Sequence, residues 1–321
     1  MATKPQRTPA PAPTSTAYGI EDRPDPEVTP IVFVGGTGRS GTHIVARLLG
    51  RHERVFTMPV ECRFHVEERG FPGLLSGEVT KDEFVDRLGG FWWRGRLTGR
   101  VRGMFKHLPR ERLDEAVEHF DTRFEWDRVA ACRELFLDLL WPEAVAIGAS
   151  AVVEQSCDSI AAAPTLTRIF PEARFIHVVR DGRDASASRV SQTRGLIHPR
   201  TRRGGLEWWD GRIRAIDAGA HAISEEQYLE IPLEELLVKP QRRAVRRISK
   251  FVTGGANVKM RRFARKRMSP DAANADRWRE GLGERRQRRI ESQYEEILGG
   301  LEEDGIRCAP LLRRTCEEGW G

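Results

Sequence analysis

Two short loops carry residue types suited to holding an anion. The first is Gly35-Gly36-Thr37-Gly38-Arg39-Ser40-Gly41-Thr42-His43. Its glycines let backbone N–H groups turn inward, and a helix starting behind it adds the positive end of its dipole, so the turn can cradle a phosphate. The second is Arg180-Asp181-Gly182-Arg183-Asp184-Ala185-Ser186-Ala187-Ser188. Arg180 offers a planar fork for phosphate oxygens, and Ser188, two helical turns on, adds a hydroxyl donor. Read from Gly36, the first loop nearly fits the GxxxxGK[ST] phosphate motif, with Thr42 at the lysine position and His43 at the hydroxyl position. Without that lysine, and without the hydroxyl that holds magnesium, a kinase or ATPase is hard to build.

Both loops need elements to hold them. Ile31-Val32-Phe33-Val34 is apolar on both sides, as expected of a central parallel strand covered by helices. After the first loop, Ile44, Val45, Leu48 and Leu49 recur at helical spacing. Ala151-Val152-Val153-Glu154 reads as a second strand, and Ala161 to Phe170 as a helix stopped by Pro171. Phe175 to Val179 is a third strand, ending at Arg180. Tyr228 to Ile231 is a fourth, followed by a helix with Val245, Ile248 and Val252 on one face. A last helix runs through Ile290, Tyr294, Ile297, Leu298 and Leu301. Strands alternating with helices predict an α/β fold with a parallel sheet flanked by helices on both faces. Residues 70–149, with Phe91-Trp92-Trp93 and Trp141, read as a mostly helical insertion packed on that sheet. Residues 1–29 are rich in Pro, Ala and Thr with no hydrophobic period, which predicts a disordered tail before one domain spanning 30–321.

The 321 residues are 39% hydrophobic and 31% charged, a soluble globular profile. No run of 18 apolar residues could cross a bilayer, and the first thirty residues hold no apolar leader, so the expectation is a cytoplasmic protein. The five cysteines form no CxxC pair and the eight histidines no HExxH, so reduced thiols and no metal are expected. Net charge is +6, unevenly placed: from Lys239 to Arg289 there are 18 basic residues against four acidic ones. That excess fits an anionic partner or simply solvated helix faces.

Taken together, Phe33-Val34-Gly35-Gly36-Thr37-Gly38-Arg39-Ser40-Gly41-Thr42 and Arg180-Asp181-Gly182-Arg183-Asp184 with Ser188 resemble the paired signatures of sulfotransferases. The resemblance implies a P-loop-like α/β domain and 3′-phosphoadenosine-5′-phosphosulfate as the sulfuryl donor, with no metal. It implies that Gly38, Arg39, Ser40, Gly41, Thr42 and His43 hold the 5′-phosphosulfate, and Arg180 and Ser188 the 3′-phosphate. Phe170-Pro171-Glu172-Ala173-Arg174 before the second loop, and Tyr228-Leu229-Glu230-Ile231 with Glu234-Glu235-Leu236 and Pro240, are also similar to the family. So is Arg277-Trp278-Arg279, which then contacts the donor through Arg277 and Trp278. Leu49-Gly50-Arg51-His52 followed by Glu61 looks like the segment ending in the catalytic base, with Arg39 stabilising the leaving group. His43, then His65 and Glu154, are the rival bases. The family often carries lysine where Gln155 stands, contacting the sulfuryl group. Lys106 is the candidate substitute.

The acceptor implied is a hydroxyl, on a sugar, glycolipid, phenol, small-molecule alcohol or tyrosine. Two other readings compete. Asp181 after an apolar strand could imitate the magnesium-binding aspartate of a P-loop kinase or ATPase. The Arg-rich 239–289 segment could make the chain a non-catalytic nucleotide- or nucleic-acid-binding protein, although its arginines suit the polar face of an amphipathic helix.

Overall fold

In a computed structural model, the structure describes residues 31–95, 103–192, 199–238, 241–255, 257–273 and 275–318. The expected 1–29 tail, Lys239 and Pro240 lie outside them. Among the described residues, strands β1 (Ile31–Gly35), β2 (Val55–Thr57), β3 (Ala151–Glu154), β4 (Arg174–Val179) and β5 (Tyr228–Pro232) form one sheet in the order β2-β3-β1-β4-β5. Every pairing is parallel. The strands expected from the sequence are all present; β2, only three residues at the sheet edge, is the addition.

The strand pleat divides the core. Ile31 and Phe33 point to one face, where Phe33 packs against Phe136, Phe170, Phe175 and the His65 ring. Val32 and Val34 point to the other, against Val45, Leu48, Ile176 and Val245. Both faces of the central strand are therefore apolar, which is why it reads as an uninterrupted hydrophobic run.

Helix α1 (Thr42–Leu49) follows the first loop directly. The insertion is helical as expected, chiefly α2 (Arg110–Phe124) and α3 (Arg128–Ala146), which pack on each other. Asp127 starts α3 by accepting the Ala130 N–H. Next come α4 (Gly182–Ser191), α5 (Arg202–Ala220), α6 (Arg242–Thr253), α7 (Val258–Arg267), α8 (Glu284–Glu303) and α9 (Ala309–Glu318). A third core cluster joins α4, α5 and α8 through Trp209, Ile213, Trp278, Tyr294 and Leu298. No helix among the described residues is long and apolar enough to cross a membrane.

The topology fixes where a ligand can sit. After β1 the chain leaves toward β2 on one side, and after β4 it leaves toward β5 on the other. The carboxyl ends of β1 and β4 thus flank a switch point, the usual crevice of an open parallel sheet.

Candidate active site

The first loop leaves β1 in a series of left-handed turns: Gly38 has φ 80°, Arg39 φ 63° and Gly41 φ 96°. Residues turned this way aim successive N–H groups to one side, forming a concave anion cradle at the start of α1. Gly36 has to be glycine for a steric reason. A Cβ there would stand 2.2 Å from Ser40 Oγ and 2.7 Å from the Val178 carbonyl. The loop is held from below by the Gly36 N–H, which donates to the Cys157 carbonyl at 2.9 Å.

Arg180 follows β4 and reaches across the switch point. Its Nη1 donates to the Arg39 carbonyl at 2.8 Å and its Nη2 to the Ala273 carbonyl at 2.9 Å. Arg39 in turn donates through Nε to Ser188 Oγ at 2.9 Å. The two loops are thereby one structure. Asp181 does not face the cleft as a metal-binding carboxylate. It caps α4 by accepting the Arg183 N–H at 2.7 Å and grips the Arg183 guanidinium, which lies over the rings of Trp278 and Tyr294. Asp184 is buried and accepts the N–H groups of Asp276 and Trp278 at 2.7 and 3.2 Å. Desolvation pushes its carboxyl up to about 6, against the pull of nearby Arg180.

Glu61 arrives by the edge strand. After α1 the chain returns as β2, pairs with β3, and carries residues 58–65 along the sheet's carboxyl edge. Glu154, at the end of β3 and fully buried, anchors that return. It accepts the Cys62 N–H at 2.9 Å, the Ser156 N–H and hydroxyl at 2.8 Å each, and pairs with His65 Nε2 at 2.8 Å. Burial drives the Glu154 carboxyl up, but His65 and the backbone donors outweigh it and hold it below the ordinary range. Beside it, desolvation and then the Glu154 charge push Glu61 up to about 7, with Arg63 opposing.

A cavity of roughly 830 Å³ gathers these groups. Gly38, Arg39, Gly41, Thr42 and His43 line it from the first loop, Arg180 and Ser188 from the second, and Glu61 and Arg63 from the return segment. The insertion closes one side with Phe91, Trp92 and His107, and Ala272 and Ala273 close another. Cys157 also lines the wall, but burial and the Asp158 and Glu61 charges push its thiol up, so it is no nucleophile.

A model of the sulfotransferase family matches residues 30–253. The chain belongs to the sulfotransferase family. It is similar in structure to the sulfotransferase domain from the Synechococcus PCC 7002 olefin synthase, at 17% identity over 84% of this chain and 94% of that one, with a TM-score of 0.49. It is also similar to the sulfotransferase domain from the curacin biosynthetic pathway, at 16% identity over 85% and 98%, with a TM-score of 0.49. Sulfotransferase STF1 from Mycobacterium tuberculosis H37Rv is similar at 14% identity over 85% and 77%, with a TM-score of 0.45. A search of curated proteins gave no match.

Within this sulfotransferase several expected site residues lie elsewhere. Trp278 is 2% exposed and belongs to the third core cluster, and Arg277 faces outward beside Glu280; neither lines the cavity. Ser40 is fully buried and is not among the residues that line the cavity, and its hydroxyl has no hydrogen-bond partner among the described residues. Gln155 is turned into the core, donating to the Met58 carbonyl at 3.1 Å. Lys106 is exposed and outside the lining. Of the rival bases, His65 and Glu154 are buried against each other, whereas His43 lines the cavity with Glu61.

Two basic lining residues escaped the sequence reading. Arg63 sits next to Glu61, pairs with Glu67 and lies over the Phe91 ring. His107 comes from the insertion, its imidazole held below its ordinary pKa by burial and Lys106. A charged residue two positions from an expected base was the available signal for Arg63; none pointed to His107. Among the described residues, one cluster of metal-ligating types occurs, His177, Glu230 and Cys308. It lies between β4 and β5, where His177 Nδ1 meets Tyr228 Oη at 2.9 Å and Glu230 Oε1 at 3.2 Å.

Proposed function

We propose that this sulfotransferase moves the sulfuryl group of 3′-phosphoadenosine-5′-phosphosulfate to a hydroxyl acceptor, using Glu61 as general base. The observation that carries the reading is the convergence of the first loop, the Arg180–Ser188 pair and Glu61 on one cavity. The donor set suits the donor molecule: backbone N–H groups and Arg39 for the 5′ end, Arg180 and Ser188 for the 3′-phosphate. Residues 30–321 then act as one catalytic domain.

In this mechanism Glu61 takes the proton of the acceptor hydroxyl as the oxygen–sulfur bond forms. A carboxylate near 7 is well matched to that task at neutral pH. On the opposite side the sulfur–oxygen bond to the 5′-phosphate breaks. Arg39 and the N–H groups of residues 40–42 stabilise the charge that appears there. Arg63, beside Glu61, takes the place that lysine fills elsewhere in the family, since Gln155 faces the core. Phe91, Trp92 and His107 form the wall against which the acceptor packs.

The test is incubation with the sulfated donor and pools of sugar, lipid, phenol and peptide acceptors, followed by mass spectrometry for the gain of one SO₃ group. The kinase reading survives only if ATP with magnesium gives phosphorylated product and the sulfated donor gives none.

A further inference from the structure

Several arginines of this protein are held by carboxylates: Arg133 by Glu172, Arg183 by Asp181, Arg214 by Asp304, Arg313 by Glu302. On α6 and α7 arginines without such a partner lie close together. Arg242, Arg243 and Arg246 on one helix, and Arg261, Arg262 and Arg265 on the other, have no ion-pair or hydrogen-bond partner for their guanidinium groups among the described residues. Arg247 and Lys259, paired with Glu235 and Glu53, are the exceptions on these helices.

These cations surround an apolar floor. Between the two helices runs a groove of roughly 450 Å³, with Val245 and Ala264 beneath and Val258, Arg242, Arg261, Arg262 and Arg265 at the rim. Val258 is 59% exposed although it starts a helix amid charged residues. A short stretch of chain links the groove to the catalytic cavity. Gln241, in its wall, donates to the Met268 carbonyl at 2.6 Å, and the chain runs on from Met268 to Ala272 and Ala273, which line the cavity. Arg47, also lining the cavity, lies over Phe263 of α7.

We propose that the α6–α7 surface docks this enzyme on an anionic lipid membrane, with arginines on lipid phosphates and Val258 in the acyl boundary. Charge complementarity selects an anion, and the apolar floor selects one with hydrocarbon beside its charge. Polybasic surfaces gain membrane affinity charge by charge, and guanidinium pairs phosphate oxygens two at a time. Docked this way, the cavity sits beside the membrane, where a lipid-borne hydroxyl is within reach.

The test uses the full chain and flotation with vesicles of phosphatidylcholine alone or mixed with phosphatidylglycerol. Binding to the mixed vesicles only, weakening as salt is raised, is expected. The triple variant Arg242→Glu, Arg261→Glu, Arg265→Glu should lose at least about tenfold in partitioning, and Val258→Ser about two- to threefold, both with an unchanged melting temperature. Reversing Arg285, Arg286 and Arg288 on α8 instead should change little. Equal loss from that control would mean net charge alone drives binding and would overturn the proposal. So would no binding to the mixed vesicles, or a Val258→Ser variant that binds normally while single-stranded RNA displaces the vesicles. None of these outcomes bears on whether the protein transfers sulfuryl groups.

Discussion

Arg180 and Arg39 lie on different strands' ends, yet Arg180 donates to the Arg39 carbonyl at 2.8 Å while Arg39 donates to Ser188 at 2.9 Å. The second loop's cation therefore shapes the first loop's backbone. A 3′-phosphate on Arg180 and Ser188 and a 5′-phosphate in the cradle would be felt by one connected set of bonds.

Arg180→Ala should accordingly do two things at once. It should lower affinity for 3′,5′-phosphoadenosine by about 1.5–3 kcal/mol, the scale of a charged hydrogen bond, and it should lower the melting temperature. Ser188→Ala should weaken 3′,5′-phosphoadenosine but hardly touch AMP, which lacks the 3′-phosphate. Calorimetric titration with both nucleotides checks this; equal losses for the two would remove the 3′ assignment.

Glu61→Gln separates chemistry from binding. It should lower kcat by at least about 10²-fold and leave 3′,5′-phosphoadenosine affinity nearly unchanged. Because the base must be ionised, wild-type turnover should rise with pH through about 7 and level off above it. If Glu61→Gln turns over normally while His43→Ala does not, His43 is the base.

The same carboxylate carries a stability signature. Its pKa is higher folded than unfolded, so the folded state favours the protonated form. The associated stabilisation is present at low pH and is lost as pH rises through about 7. Ligand-free Glu61→Gln should therefore match wild type near pH 4 and melt increasingly above it as pH rises toward about 8. Thermal scans across that range test it, and a constant offset would contradict it.

Glu154→Ala should be among the most damaging single changes. It strands the buried His65 and orphans the N–H groups of Cys62 and Ser156, at a cost of about 3–5 kcal/mol. Denaturant melts measure the loss. Glu154→Gln, which keeps the acceptor oxygen, should retain part of the stability but shift the turnover profile to lower pH, because a neighbouring negative charge is gone.

At Gly41, φ of 96° and the Leu233 side chain 2.8 Å from a would-be Cβ both oppose substitution. Gly41→Ala should cost about 1–3 kcal/mol and weaken nucleotide binding together. Preserved binding in a thermal-shift titration would mean the cradle does not depend on that turn.

The sequence alone determined the β1, β3, β4 and β5 strands, the helix after the first loop and the two anion loops. Each of these is local: a buried strand is an apolar run, a helix an apolar period, and a cradle needs glycines in fixed places. The edge strand β2 was invisible because three residues with one buried member make no period. Helices α5 and α9 also went unread. The placement of Glu61 beside the cradle was settled by β2 pairing with β3, 96 residues on, and by Glu154 gripping the return segment at Cys62, 92 residues away. Tertiary packing likewise moved Trp278 and Gln155 from the site into the core, because a motif residue's direction depends on what packs over it. It also set α6 against α7, turning a run of positive charge into a groove with an apolar floor.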